Sequence, residues 1–360
     1  MATTPLQDAL HTDPGNQVRP LALADYRGAR TAARFADPQV EFAALLGGCG
    51  VYDLGFRARI SLTGGDRVRW LNGMVTNNIR DLALNFGSYN FLLNAQGRIQ
   101  ADLYVYNRGE HLLVDTDAWQ ASKLLETFDK YIIMDDVEVS DTSGKLTSIG
   151  VSGKKAATLL QSLGLKVGLQ ALQVLDTVVE NVGVSLVRSD LVCTDKDEGY
   201  EIWMSPDHAA TVWKALVRAG AQPVGAEAVE LARVAAGLPR YGQDIRERDL
   251  PQETEQSRAL NFQKGCYVGQ EIVERIHSRG QVHRKFTGFR FTGAAPAPGA
   301  KIESNGKEVG EITSVAMLPL ASEDRTIGLG YIRREVGVPG AEVTVNGARA
   351  TVSNLPFESI

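Results

Sequence analysis

Apolar and polar residues alternate in short stretches through the first part of the chain, and this pattern predicts β-strands. Residues 56–62 alternate strictly, as a half-buried strand requires. Three further β-like runs, at residues 89–93, 99–106 and 111–114, are separated by turn residues and predict an antiparallel meander. Residues 119–132 then repeat their apolar positions at helical spacing, which predicts a helix with one face for that sheet. A helix packed on an antiparallel sheet predicts the α+β fold class.

The same alternation of strands and helices is predicted to continue, and its character changes near Phe286. Strands are predicted near residues 146–151, 182–193 and 199–204, and helices at residues 153–163, 206–218 and 226–236. From Phe286 onward glycine, proline, valine and short alternating runs dominate, and no strong helical pattern remains. The final segment therefore predicts a separate small β-barrel or sandwich domain.

The first 37 residues differ from both of these regions. They mix Pro14, Gly15, Pro20 and polar residues without clear periodicity, which predicts an irregular N-terminal arm over residues 1–37. A chain of 360 residues also exceeds what one hydrophobic core usually organises, so two or three packed domains are expected.

Composition and charge exclude several classes of protein. Hydrophobic residues make up 44% of the chain and charged residues 22%, which is typical of a folded globular protein. The formal net charge of −5 gives no strong field that would attract nucleic acid or an anionic membrane, so direct nucleic-acid binding is not favoured. The basic residues after the motif at 264–271 could bind RNA, but a solvated helix end is the better interpretation because few aromatic residues accompany them.

The cysteines and the N-terminus bear on the compartment. Cys49, Cys193 and Cys266 are too far apart for a disulfide scaffold or a short-spaced zinc motif, and the five histidines are scattered, so no metal site is expected. The N-terminus lacks the pattern of a secretory signal, and the chain has no apolar run of membrane length. These features predict a cytoplasmic protein that does not associate with membranes.

Cys266 is the residue most open to a chemical role. It lies among Lys264, Gly265 and Gly269 on a predicted flexible loop that leads into a helix beginning at Gln270. Amides at a helix start and a nearby ammonium both favour the thiolate, which is the reactive form of cysteine. A small, buried and inert cysteine is the alternative that these residues alone leave open.

At these residues the sequence resembles a known family. The stretch KGCYVGQE at residues 264–271 resembles the signature of YgfZ-type folate-binding proteins and their mitochondrial iron-sulfur assembly relatives. Other stretches resemble the wider superfamily that includes the glycine-cleavage T-protein. They are residues 71–79, 93–98, 197–202, 232–239, 241–245 and 251–253.

The resemblance implies a three-lobed α+β fold around a central opening that holds tetrahydrofolate. It implies a first folate-binding lobe from residues 38–56 and 141–230 and a second from residues 57–140 and 231–284. The C-terminal β-barrel would then span residues 285–360. Folate and iron-sulfur client proteins are the implied partners.

The resemblance also implies folate-binding residues. Glu201 matches a carboxylate that pairs with the pterin ring, where one acceptor group can take two adjacent donors. Arg233 matches a helix arginine whose planar fork would hold a carboxylate. Tyr241, Lys264 and Tyr267 lie in the matched stretches and are further folate-binding candidates. A surface strand charge and an exposed helix arginine are the alternatives for Glu201 and Arg233.

Asp102 is the second catalytic candidate beside Cys266. It falls where T-proteins carry a pair of aspartates, one of which assists attack by a folate nitrogen on the carrier. Here Ala101 replaces one of the pair, and Arg98 replaces a usual glycine. These departures favour a tetrahydrofolate-binding protein that assists iron-sulfur proteins, including tRNA-modifying enzymes, over the alternative of a T-protein-like aminomethyltransferase.

Overall fold

A computed structural model describes residues 2–12, 18–190, 192, 199–280, 282–321 and 323–357. Cys193, at the end of the strand predicted over residues 182–193, lies outside the described residues. By its internal contacts the chain divides into two compact units, with boundaries that fall within helices and strands. The first unit comprises residues 1–71, 79–88 and 103–232, and the second comprises residues 72–78, 89–102 and 233–360.

The described part of the chain up to residue 235 contains seven α-helices and thirteen strands, in mixed order. They are α1 (Pro5–Thr12), β1 (Ala22–Tyr26), β2 (Ala29–Arg34), α2 (Pro38–Gly47), β3 (Gly50–Asp53), β4 (Arg57–Thr63), α3 (Arg67–Met74), β5 (Gly87–Leu93), β6 (Ile99–Asn107), β7 (Leu112–Asp117), α4 (Ala118–Tyr131), β8 (Glu138–Asp141), β9 (Thr147–Ser152), α5 (Ala156–Ser162), β10 (Val174–Val179), β11 (Val182–Ser189), β12 (Gly199–Met204), α6 (Ala209–Arg218), β13 (Gln222–Val224) and α7 (Ala226–Ala235).

The core of the first unit lies under a six-stranded sheet in the order β10-β11-β12-β9-β3-β13. Its pairs are antiparallel apart from β13 with β3. Helix α6 repeats apolar residues at positions 209, 212, 213 and 216, so one helical face is apolar and buries Trp213 in that core. The predicted α+β class is confirmed here.

The second sheet has the order β5-β6-β7-β4-β8, and it contains the predicted meander. Helix α4 packs on it through Leu124 and Phe128, which are fully buried. Trp119 and Tyr131 keep 46% and 42% of their surface exposed, so the buried face of α4 is narrower than its apolar pattern suggests. Element boundaries otherwise fall within a few residues of those predicted.

A closed barrel completes the second unit and confirms the predicted C-terminal β-barrel. The barrel order is β14-β17-β16-β15-β18-β19, and its core includes Phe289, Ile312 and Ile332. The α-helix and strands described after α7 are α8 (Gln270–Arg279), β14 (Arg284–Thr292), β15 (Lys301–Ser304), β16 (Lys307–Leu318), β17 (Arg325–Arg333), β18 (Glu342–Val345) and β19 (Ala348–Ser353).

The N-terminal segment differs from the irregular arm predicted for residues 1–37. It forms α1 and the hairpin β1–β2, and Leu6 and Leu10 of α1 are buried in the core of the six-stranded sheet. The helix has only eight residues, so two leucines four positions apart were too short a pattern to distinguish from an irregular lead-in. Thr4 and Thr31 donate hydrogen bonds to buried Asp53, which ties this segment to β3.

Candidate functional site

Lys264 holds the start of the cysteine motif in place. Its side chain is buried, and Nζ donates hydrogen bonds to the backbone carbonyls of Asn72 at 2.5 Å, Val75 at 2.6 Å and Asn77 at 2.7 Å. Carbonyls at the end of a helix lack intrahelical partners and carry partial negative charge, so an ammonium is a natural partner for them. The ammonium therefore fixes the motif to the last turn of α3 and to the segment that follows it.

Two glycines and a tyrosine determine how the loop around Cys266 packs. Gly269 adopts φ +84°, and a Cβ at this position would lie 2.5 Å from the carbonyl oxygen of Asn94. Gly97 makes the reciprocal close approach, because its Cβ would lie 2.8 Å from Ile272 of α8. Tyr267 is buried beneath the loop, where burial and then the charge of Glu274 raise its pKa.

Cys266 is exposed on this loop with a free thiol. The helix predicted to begin at Gln270 does begin there, with Gly269 as its left-handed cap. Among the described cysteines Cys49 is also free, but it is buried, and burial raises the pKa of its thiol to about 11. Cys266 is therefore the described thiol that a second molecule can reach.

Asp102 lies on β6 beside a tyrosine of the neighbouring strand. The hydroxyl of Tyr89 donates a hydrogen bond to Asp102 Oδ2 at 2.9 Å. Tyr89 is 4% exposed whereas Asp102 is half-buried, so the carboxylate reaches the surface while its partner does not. The guanidinium of Arg258 lies 4.6 Å from the centre of the Tyr89 ring. The arrangement fixes a carboxylate at a partly open position, held by a tyrosine whose ring packs against a guanidinium.

Tyr241 packs close to the same strand. Its hydroxyl donates a hydrogen bond to the backbone carbonyl of Gln100. Burial, followed by the charges of Glu247 and Asp102, raises its pKa. The structure thus brings predicted residues Tyr241 and Asp102 into one electrostatic environment in the second unit.

Arg233, near the end of α7, bonds to the loop after that helix and to the barrel. The guanidinium is 1% exposed, and it donates to Leu238 O at 2.5 Å, Asp244 Oδ2 at 2.8 Å and Ser314 Oγ at 2.9 Å. Asp244 also accepts hydrogen bonds from Thr313 at 2.5 Å and Ser314 at 2.7 Å. This network is internal to the second unit.

Glu201 lies on β12 in the first unit and is 1% exposed. Its oxygens accept hydrogen bonds from Ser189 Oγ at 2.6 Å and Trp203 Nε1 at 2.8 Å, and Arg59 Nη2 lies 3.7 Å from Oε2. Burial, with the nearby charge of Asp115, raises the pKa of Glu201. The surface strand charge considered as its alternative role does not apply, because the side chain is buried.

Sequence reasoning missed the partners that give these residues their environments. Tyr89 was assigned only to a strand, and Arg258 to no element. Tyr89 meets Asp102 through strand pairing, and Arg258 meets the Tyr89 ring from a short 3-10 helix, Ser257–Ala259, that no periodic pattern predicts. No group of three or more metal-binding side chains occurs within the described ranges, and no helix described there is long and apolar enough to cross a membrane.

Two family models match this chain along most of its length. Residues 17–264 match the GCVT N-terminal domain, and residues 284–357 match the glycine cleavage T-protein C-terminal barrel domain. The chain therefore belongs to the glycine cleavage T-protein family.

Its relatives are named as enzymes of that family. The aminomethyltransferase of Rubrobacter xylanophilus is 29% identical over 341 residues, which cover 93% of this chain and 90% of the relative. The aminomethyltransferase of Thermus thermophilus is 28% identical and aligns over 99% of both chains. The crystal structure of glycine cleavage system aminomethyltransferase T from Bartonella henselae has a TM-score of 0.85 and covers 99% of this chain and 97% of its own. At 21% identity, this last likeness shows the fold.

Proposed function

We propose that this protein binds tetrahydrofolate and transfers a one-carbon unit to it, as the name aminomethyltransferase of its relatives describes. The observation that carries this proposal is the Asp102–Tyr89 pair, a half-buried carboxylate held by a buried phenol. A fixed carboxylate within reach of a substrate can accept a hydrogen bond or a proton from an amine. Family membership supports the reaction class, and the pair supplies a residue for it.

The departure at Ala101 is compatible with this chemistry. Successive side chains of a strand point to opposite faces, and Ala101 is 1% exposed whereas Asp102 is half-buried. The alanine therefore occupies the buried side of β6, and the carboxylate that this chain retains occupies the accessible side. This placement favours transfer chemistry even though alanine replaces one of the paired aspartates.

Tetrahydrofolate, when bound, would supply the nitrogens that accept the methylene carbon. Its pterin ring presents N–H donors, and the carboxylate of Glu201 is the acceptor we assign to it. A carboxylate has about four acceptor positions. Ser189 and Trp203 each donate one hydrogen bond to Glu201, so this residue retains acceptor capacity.

Arg233, Tyr241 and Lys264 are buried, and their side chains donate hydrogen bonds within the protein. Tyr267 is buried with its ring 4.9 Å from the ammonium of Lys264. We therefore assign them an indirect part in folate binding. Lys264 and Tyr267 shape the loop at 264–269, and Arg233 holds the loop after α7 against the barrel. Tyr241 supports β6 next to Asp102.

A second candidate function is assistance to iron-sulfur proteins, including enzymes that modify tRNA. The exposed free thiol of Cys266, in a stretch that resembles the YgfZ signature, favours it. One thiolate is a single cluster ligand, and an ordinary cluster needs four, so Cys266 would act by transient contact with a client.

Isothermal titration calorimetry with tetrahydrofolate tests both proposed functions. The wild-type protein and the Cys266→Ala variant should bind tetrahydrofolate equally, because the thiol is not among the groups that we assign to folate binding. Undetectable binding to folded wild-type protein would contradict both functions. If Cys266→Ala keeps one-carbon transfer but fails to restore iron-sulfur enzyme activity in cells that lack the protein, the thiol serves the second function.

A further inference from the structure

A groove rich in basic residues lies on the outer side of the barrel. Its volume is about 840 Å³, which is within the range of small-molecule sites. Tyr331 and Arg333 of β17 line it, whereas Ile332 between them points into the barrel core. Five of its ten lining residues are basic and two are acidic. The basic residues are Arg98, Arg248, Arg284, Lys301 and Arg333, and the acidic ones are Glu308 and Glu311.

Glu311 is shared by more cations than it can neutralise. Arg246 Nη1 lies 2.5 Å from Oε1, and Arg248 Nη2 and Lys301 Nζ lie 3.3 Å and 3.4 Å from Oε2. One carboxylate thus faces three positive charges. Lys301 also pairs with Glu308 at 2.9 Å, and Arg284 pairs with Asp249 at 2.7 Å and with Glu253 at 2.9 Å. The positive charge available to a ligand therefore comes chiefly from the basic residues outside these pairs.

Arg98 adds a further charge to the groove. Its backbone amide donates to Asn94 Oδ1 at 2.9 Å, and its guanidinium donates to the backbone carbonyl of Arg248. Within the ranges that the structure describes, Arg98 forms no ion pair with a carboxylate. This arginine replaces the glycine that the family resemblance leads one to expect.

The buried hydroxyl of Tyr331, which also lines the groove, is a second and independent observation that favours a ligand. The side chain is 1% exposed, and its ring lies 4.7 Å from the guanidinium carbon of Arg284. Its hydroxyl has no hydrogen-bond partner among the described residues. A buried hydroxyl without a partner is unfavourable, and in native proteins such a group usually has a ligand or water to bond.

We propose that this groove binds a small phosphate-bearing anion. Arg98 and Arg333 donate to its oxygens from opposite chain segments, and the Tyr331 hydroxyl donates from the floor. The basic groups come from the turn before β6, from residue 248 and from three barrel strands, so they surround a ligand instead of facing one plane. A phosphate group offers three acceptor oxygens in a tetrahedral arrangement, and a carboxylate offers two in a plane. This site is separate from the proposed one-carbon chemistry and does not depend on it.

Calorimetric titration with inorganic pyrophosphate tests the assignment on the full-length protein. Wild-type protein should bind, and Arg98→Gln should weaken binding about 10-fold through loss of a charge-assisted hydrogen bond. Arg218→Gln is the matched control, because it removes the same charge from an exposed arginine of α6 that pairs with Glu180. No binding by wild type, or equal weakening by both variants, would overturn the proposal.

Two further measurements define the chemistry. Tyr331→Phe should raise the melting temperature of the unliganded protein and weaken pyrophosphate binding, and unchanged binding would remove the hydroxyl from the site. Triglutamate presents carboxylates in place of phosphate and should bind much more weakly than pyrophosphate. Equal or tighter binding of triglutamate, or binding of an RNA oligonucleotide alone, would overturn the phosphate assignment.

Discussion

The hydroxyl of Tyr89 on β5 donates a hydrogen bond of 2.9 Å to Asp102 on the neighbouring strand β6. The phenol is buried and the carboxylate is half-buried, so one partner belongs to the core and the other faces outward. A strand pair is a rigid support, and a carboxylate held on it keeps its orientation without a loop to position it. This relationship connects the fold to the proposed chemistry.

Replacing Tyr89 by phenylalanine should impair transfer while the protein remains folded. The variant keeps the aromatic ring, whose centroid lies 5.5 Å from that of Phe91 and which packs against Arg258. The carboxylate of Asp102 loses the hydrogen bond that it accepts, and such a bond to a charged group contributes about 1.5–3 kcal/mol. We expect the transfer rate to fall at least 10-fold with tetrahydrofolate affinity within a few-fold of wild type. Steady-state kinetics with the circular dichroism spectrum as a folding control measures this. An unchanged rate would exclude Tyr89 as a positioning residue.

Alanine at position 269 should destabilise the protein. The residue adopts φ +84°, and a Cβ would lie 2.5 Å from Asn94 O, so both backbone strain and a close contact oppose the substitution. We expect a loss of about 1–3 kcal/mol in the free energy of unfolding.

Gly280, at the other end of α8, is the control for this substitution. It adopts φ −151° with no atom near the Cβ position, so Gly280→Ala should leave stability unchanged or raise it by up to about 1 kcal/mol. Urea unfolding of both variants gives the comparison. Equal effects at the two positions would show that the contact with Asn94 is unimportant.

Lys264→Met should lower stability because it leaves three carbonyls without their donor. Hydrogen bonds to a charged group contribute about 1.5–3 kcal/mol each, and with partial compensation by water we expect a total loss of about 3 kcal/mol. The exposed neighbour offers a control, since Cys266→Ser should change stability by less than about 0.5 kcal/mol. Chemical denaturation measures both. A Lys264→Met variant as stable as wild type would mean that the ammonium does not fix this segment.

The buried carboxyl of Glu201 predicts a pH dependence of stability. Its pKa in the folded protein is raised above the ordinary 4.5 by burial and by Asp115, so the folded state binds a proton that the unfolded state releases. Its contribution to stability is therefore fully present below pH 4.5 and is lost as pH rises through the raised pKa.

The Glu201→Gln variant cannot titrate at this position. The free energy of unfolding of Glu201→Gln, relative to wild type, should therefore rise with pH through that window. Urea unfolding at a series of pH values above 4.5 measures the difference. A difference that stays constant, or falls, across the series would show that the pKa of Glu201 is not raised.

The fold could be predicted largely from periodic patterns. The alternation over residues 56–62 and the helical spacing over residues 119–132 report burial on one face, which strands and amphipathic helices require. The barrel was predicted for a similar reason, because short alternating runs between glycines cannot form a helix. Helix α1 was missed because two leucines in eight residues carry too little signal.

The site could be predicted only in part, because its residues meet through tertiary structure. Asp102 was singled out by its motif, but its bond to Tyr89 depends on the register of β5 and β6. Lys264 was interpreted as a charge that could reach folate or the thiol. In the structure it donates to carbonyls of a segment nearly 190 positions earlier in the chain, a contact that no local pattern encodes.

Single-turnover transfer from an aminomethylated lipoyl carrier to tetrahydrofolate tests the central claim most directly. The account predicts that wild-type protein releases ammonia and forms the methylene product faster than buffer alone. Asp102→Asn, which keeps the shape of the side chain, should slow this step about 100-fold or more while tetrahydrofolate still binds. A folded wild-type protein that binds tetrahydrofolate but forms no product, or an Asp102→Asn variant as fast as wild type, would contradict it.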